Sequence, residues 1–196
     1  MIWLVIAAGG LAAPDITRIL SPEDYPAEAL AHGWSAAAIL DILIDPKGKV
    51  ARCSTGPSIG AKQLANKMCE IIRRKRIPPA HDADGKPVYG VAHGLIKMWQ
   101  PDTNDGRAIE ALKDSPDVEL SVNRLPDGAA EKEAEVSLLV EATGDVADCA
   151  AKPGDAIGVI ACSARDQLGA TKVPNPAGEF VAYVTKVKVR VRIGAQ

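Results

Sequence analysis

The sequence predicts two related units in tandem, each made of strands around a single helix. Three observations carry this reading: a motif that occurs twice in register, apolar residues alternating at the strand period, and a helical apolar face between the paired motifs. With 196 residues, 47% of them hydrophobic, the chain has enough apolar surface to bury a core, and disorder is excluded. A net charge of −2 leaves no bulk electrostatic attraction for nucleic acid, and no partner of that class is expected.

Residues 2–13 form an apolar run ending in small residues, too short to stop in a membrane but suited to a secretory leader. Residues 1–13 are therefore read as a signal peptide with its cut between Ala12 and Ala13; the other reading is a buried first strand.

The repeat comes next. The segment Asp45-Pro46-Lys47-Gly48-Lys49-Val50-Ala51-Arg52-Cys53 resembles Glu141-Ala142-Thr143-Gly144-Asp145-Val146-Ala147-Asp148-Cys149. Gly48 and Gly144, Val50 and Val146, and Cys53 and Cys149 share one offset. Cys69 and Cys162, Gly85 and Gly178, and Val88 and Val181 share an offset three residues shorter, as a deletion between the cysteines would produce. In each unit a strand leads into a glycine turn and a short return strand that ends in a cysteine. In the second unit Val136, Leu138 and Val140 share one face of the first strand. A helix is predicted over 61–75, with Leu64, Ala65, Met68, Ile71 and Ile72 on its apolar face, and Pro78-Pro79 stops it. A third strand follows Gly85 in one unit and Gly178 in the other. From Phe180 to Ile193, Val187, Val189 and Val191 alternate with Lys188, Arg190 and Arg192. One face is buried and the other basic: a solvated face or protected edge, or alternatively a groove for an anion.

Four cysteines behind a leader favour two disulfides over free thiols, with three possible connectivities. The repeat selects Cys53–Cys69 and Cys149–Cys162, each stapling a return strand to its own helix.

Residues 21–99 resemble the TonB C-terminal domain family. Tyr25-Pro26-Ala27-Glu28-Ala29-Leu30 is similar to the family's opening motif, and Asp45–Val50 to its hairpin. Ser58-Ile59-Gly60, Leu64 and Cys69 resemble the pattern of its disulfide-containing branch. Pro78-Pro79-Ala80 and Gly85-Lys86-Pro87-Val88 resemble the motifs around its last strand. The motif positions are thus Tyr25, Pro26, Gly48, Ser58, Gly60, Leu64, Pro79 and Gly85. Ser21-Pro22-Glu23-Asp24 stands where the family carries a Gln-Pro element, so no contact of that Gln is transferred. The second unit resembles the family only through its repeat with the first.

The resemblance implies an α+β fold in which each unit packs a helix on a small antiparallel sheet. The expected organisation is a TonB-like domain over 14–100, a polar linker over 101–117 and a diverged copy over 118–196. It further implies a periplasmic, non-enzymatic protein-binding module without cofactors, which meets the membrane only through its partners. The partner is an outer-membrane transporter or another envelope protein, bound by strand addition in TonB-dependent transport. Val88, Tyr89, Val91, Val187, Val189 and Val191 are the candidate partner-binding positions. The alternative is an envelope scaffold that self-associates through sheet edges as a homodimer. No catalytic signature competes. His32, His81 and His93 lack metal-ligand spacing, and the chain has no nucleophile elbow, phosphate loop or dinucleotide fingerprint.

Overall fold

The computed structural model describes residues 10–17 and 19–194, so most of the predicted leader lies outside the described residues. In chain order the elements are α1 (Ala27–Ala31), β1 (Ala36–Ile44), β2 (Val50–Gly60), α2 (Lys62–Ile72), β3 (Ala80–His81), β4 (Pro87–Met98), α3 (Asn104–Ala111), β5 (Val118–Val122), β6 (Glu131–Val140), β7 (Val146–Ala151), α4 (Ala156–Ser163), β8 (Val173–Pro174), β9 (Phe180–Val181) and β10 (Tyr183–Ile193). The architecture is α+β around one mixed sheet of order β2-β1-β4-β10-β6-β7, with β3 on β4 and β5 on β10.

The local geometry of the first half recurs in the second. The β1–β2 turn closes with the Asp45 amide donating to the Lys49 carbonyl (2.8 Å) and the Gly48 amide to the Asp45 carbonyl (2.9 Å). The β6–β7 turn does the same through Glu141 and Asp145 (2.9 Å) and through Gly144 and Glu141 (2.8 Å). Gly48 and Gly144 have φ of 76° and 92°, the left-handed region where a side chain is disfavoured. Each return strand is tied to the following helix by a disulfide, Cys53–Cys69 and Cys149–Cys162, with Cα atoms 5.6 and 5.5 Å apart. The halves start their helices differently. Ala61 precedes α2 without a side-chain cap, whereas Asp155 caps α4 by accepting from the amides of Ile157 and Gly158 at 3.0 Å each.

The two halves meet along β4 and β10, which run parallel and pair over only three positions, Tyr89 with Tyr183, Gly90 with Val184 and Val91 with Thr185. The helices lie on opposite faces of the shared sheet. Leu40, Ile42 and Ile44 of β1 pack under α2 with Leu64, Met68 and Ile72. Leu43, pointing the other way, joins Val136, Leu138, Val140, Ile157 and Ala161 in the core under α4. The two cores therefore share a strand, and neither half closes its hydrophobic surface alone. Residues 101–117, expected to be a plain linker, contain α3, whose N-cap Thr103 accepts from the Gly106 amide at 2.9 Å.

Candidate functional site

The family-motif residues shape the first half. Tyr25 donates its hydroxyl to the Trp34 carbonyl, and burial raises its pKa. Pro26 precedes α1, and Leu64 is fully buried under the sheet. Gly48, Gly60 and Gly85 take positive φ; a Cβ at Gly48 would collide with the Ile77 carbonyl, next to Pro79, and one at Gly60 with that of Ser35. Ser58 pairs with Ala38 at the sheet's outer edge. These positions hold turns and packing, and none of them assembles a reactive centre.

The six candidate partner-binding positions are all engaged by the chain itself. Tyr89 and Val91 lie in the three-position seam with β10, and their side chains pack on the α4 core. Val88 pairs with Ala80 of β3. Val187, Val189 and Val191 are buried and pair with Val136, Ala134 and Lys132 of β6. On its other side β10 pairs with β5, Val189 with Val118 and Val191 with Leu120. Strand addition at these residues would have to displace a strand already in place.

What sequence reasoning missed lies just beyond the seam. After Val91, β4 leaves β10 and stays paired with β1 as far as Met98. Its other edge, from Ala92 to Met98, has no strand beside it among the described residues. β5 has taken the place along β10 that β4 vacates, anchored where the Lys188 amide donates to the Asp117 carboxylate (2.7 Å) and the Asp117 amide to the Lys188 carbonyl (2.8 Å). The divergence opens two cavities along the free edge. One of about 370 Å³ is walled by Ile16, Ile19, Leu20, Ala92, Ile96, Lys186 and Lys188. The other, about 420 Å³, is walled by Ala37, Ile39, Ile59, Leu112 and Pro116. His93, Leu95, Asp114 and Asp117 line both. The Thr103 cap three residues before Gly106 signals α3 inside the expected linker, but the linker's share of the cleft lining begins beyond that helix, at Leu112.

The electrostatics of the cleft are balanced. Asp117 keeps solvent access, but the cleft walls desolvate its carboxyl enough to raise its pKa, against the opposing hydrogen bond from Lys188. His93 pairs with Asp41 at 2.7 Å, and Lys97 donates to the carbonyls of Glu110 (2.8 Å) and Leu112 (2.9 Å). The basic row of β10 meets an acidic row. Arg190 bonds Glu133 (2.8 Å) and Glu119 (3.4 Å), Lys188 reaches Glu133 (3.3 Å), and Arg192 reaches Glu119 (3.3 Å). This ladder neutralises the charge that an anion groove would need. Among the described residues no three metal-ligating side chains come together, and His32 stacks on Trp34 at 5.0 Å between ring centroids.

The matched stretch of sequence follows this geometry. Residues 21–93 match the family model of the Gram-negative bacterial TonB protein C-terminal. The match enters before α1, spans the first hairpin and α2, and ends on β4 where its free edge begins. This family is one of non-enzymatic protein-interaction domains of the envelope, whose members typically meet outer-membrane transporters. No curated protein and no solved structure matches the chain. Among the described residues no helix is long and apolar enough to cross a membrane.

Proposed function

We propose that the chain is a periplasmic protein-binding module whose second half is a diverged copy of its TonB-like first half. The recurring turn hydrogen bonds, the paired glycines and the matching strand-to-helix disulfides support the duplication. The partner is an outer-membrane transporter or another envelope protein, which contributes an extended segment to the edge of β4. One observation carries this reading: the run from Ala92 to Met98 that has no strand beside it among the described residues, flanked by a cavity on either side. An added strand would take its affinity from main-chain hydrogen bonds. Its alternate side chains would enter the two cavities and supply selectivity. Seven residues of edge span roughly 23 Å at the strand rise, enough for a small, transient interface.

Calorimetry of the full chain against peptides from the periplasmic termini of outer-membrane transporters tests this. At least one peptide binds, and Leu95→Glu, which places a charge where both cavities meet, weakens binding at least tenfold while leaving the melt cooperative. No binding across the panel, or binding indifferent to Leu95→Glu, overturns it. The scaffold alternative draws on the outer edge of β2, where Ile59 is 60% exposed. Light scattering showing a stable dimer would favour it, although Pro57 in that edge interrupts the donors a second strand would need.

A further inference from the structure

A second segment-receiving position adjoins the cleft at the seam, and it is occupied. Residues 11–14 pass beside β3, bridged to it at Ala12. The Ala12 amide donates to the His81 carbonyl at 3.0 Å, and the His81 amide donates to the Ala12 carbonyl at 2.9 Å. β3 in turn pairs with β4, so this segment extends a small local ladder by one bridge, Ala12 with His81. Its side chains are seated as well. Leu11 is 8% exposed and packs with Ala80 of the first half and Val184 of the second, beside Val88, Leu139 and Ala150. Pro14 is buried on Gly90, where a Cβ would collide with the proline ring. Gly90 is itself the seam position paired with Val184.

We infer that this groove across the β4–β10 seam is a peptide-binding site for an extended segment of the pattern Leu-x-x-Pro, held here by the chain's own residues 11–14. Three features define the ligand chemistry. The apolar socket made by both halves takes a leucine-sized side chain. The main-chain edge of His81, which bonds Ala12 in both directions, fixes one residue of the segment. The bare backbone of Gly90 admits a flat proline ring that no larger residue at that position would leave room for. The site is built from both halves, so the occupant also clamps a seam that rests on three paired positions. It adjoins the free edge of β4, which begins two residues beyond Gly90: Pro14 also lines the cavity there, but Leu11 and the Ala12–His81 pairing lie outside it. A chain cut between Ala12 and Ala13 would lose both Leu11 and the Ala12 pairing, leaving the groove open to such a segment from a partner.

The test uses the full chain and a labelled synthetic peptide covering residues 9–17. In the wild type the tethered segment competes at an effective concentration on the order of millimolar, so the added peptide binds weakly. Leu11→Asp combined with Pro14→Gly vacates the groove without altering its walls, and the peptide then binds at least tenfold more tightly by anisotropy. A peptide with the leucine replaced by aspartate does not bind, and adding Gly90→Ala to the vacated chain abolishes binding. Leu11→Ala, a milder release, gives an intermediate gain and serves if the double variant does not fold. In the wild type the His81 amide is protected from hydrogen exchange, and the releasing variants lose that protection. A folded, released chain that gains no affinity for the peptide, or that binds the aspartate peptide equally well, overturns the inference. These readouts do not involve transporter peptides or Leu95, so failure here and failure at the β4 edge are separable.

Discussion

Replacing Leu43 with alanine tests whether the two halves fold as one body. Leu43 lies on a strand of the first half, is 2% exposed, and packs in the core under α4, whereas its neighbours Ile42 and Ile44 pack under α2. Removing three buried carbons forfeits about 2.4 kcal/mol of transfer free energy at ~0.8 kcal/mol per group. The cavity left behind adds to this, because β1 is held on both sides by β2 and β4 and cannot collapse into the space; a total of about 3–4 kcal/mol follows. For a chain of this length that corresponds to a fall of roughly 6–16 °C in melting temperature. Urea unfolding monitored by far-ultraviolet circular dichroism should show one transition displaced to lower denaturant with an unchanged slope. Hydrogen exchange should quicken in β6 and α4, which lie in the other half of the sequence. Two separate transitions with only the first displaced, or a loss below ~1 kcal/mol, would refute the shared-core argument.

Other outcomes follow from the same geometry. Replacing Cys53 and Cys69 together with alanine should cost about 3 kcal/mol by the loop-entropy relation, as should the Cys149–Cys162 pair, and urea midpoints with and without reductant measure both. Gly48→Ala should destabilise by more than the ~1–2 kcal/mol of a left-handed alanine, because its Cβ would collide with the Ile77 carbonyl. Gly144→Ala meets Lys172, nearest at its side-chain Cγ (3.2 Å) and with its backbone no closer than 3.7 Å, and should stay near that range in the same melts. Two carboxylates should move acid stability in opposite directions. The hydrogen bond from Lys75 lowers the pKa of Asp24, so its contribution is present above the ordinary value of 3.8 and is lost as pH falls through the folded value. Desolvation raises the pKa of Asp117, so its contribution is full below 3.8 and is lost as pH rises through the folded value. Urea midpoints between about pH 3 and 6 should therefore show the wild-type advantage over Asp24→Asn growing with pH, and that over Asp117→Asn shrinking.

Much of the site's framework was legible because it is local. Gly48 and Gly144 announce turns since a positive φ is a property of one residue and its neighbours, and each disulfide joins a return strand to the helix that follows it. The valines of β10 were legible as a buried face, but not as a strand engaged on both sides, because alternation reports which face is apolar and says nothing about which strands lie beside it. The basic row of β10 looked unopposed in sequence; its partners Glu119, Glu133 and Glu135 lie far off in the chain and come into reach only through the β6 and β5 pairings.

By itself the sequence determined the two glycine turns, the two strand-to-helix disulfides and the family resemblance of residues 21–93, since each depends on contacts between near neighbours. Only the tertiary structure decided that the third strands meet in parallel, that the helices take opposite faces, and that Leu11 and Pro14 close the seam. It also decided that β4 parts from β10 after Val91 and leaves an edge with no strand beside it among the described residues. These arrangements are chosen by which hydrophobic surfaces can be buried together and by where β5 has already claimed a neighbour. That competition between distant segments is settled by the free energy of the whole sheet, and no single stretch of residues encodes it.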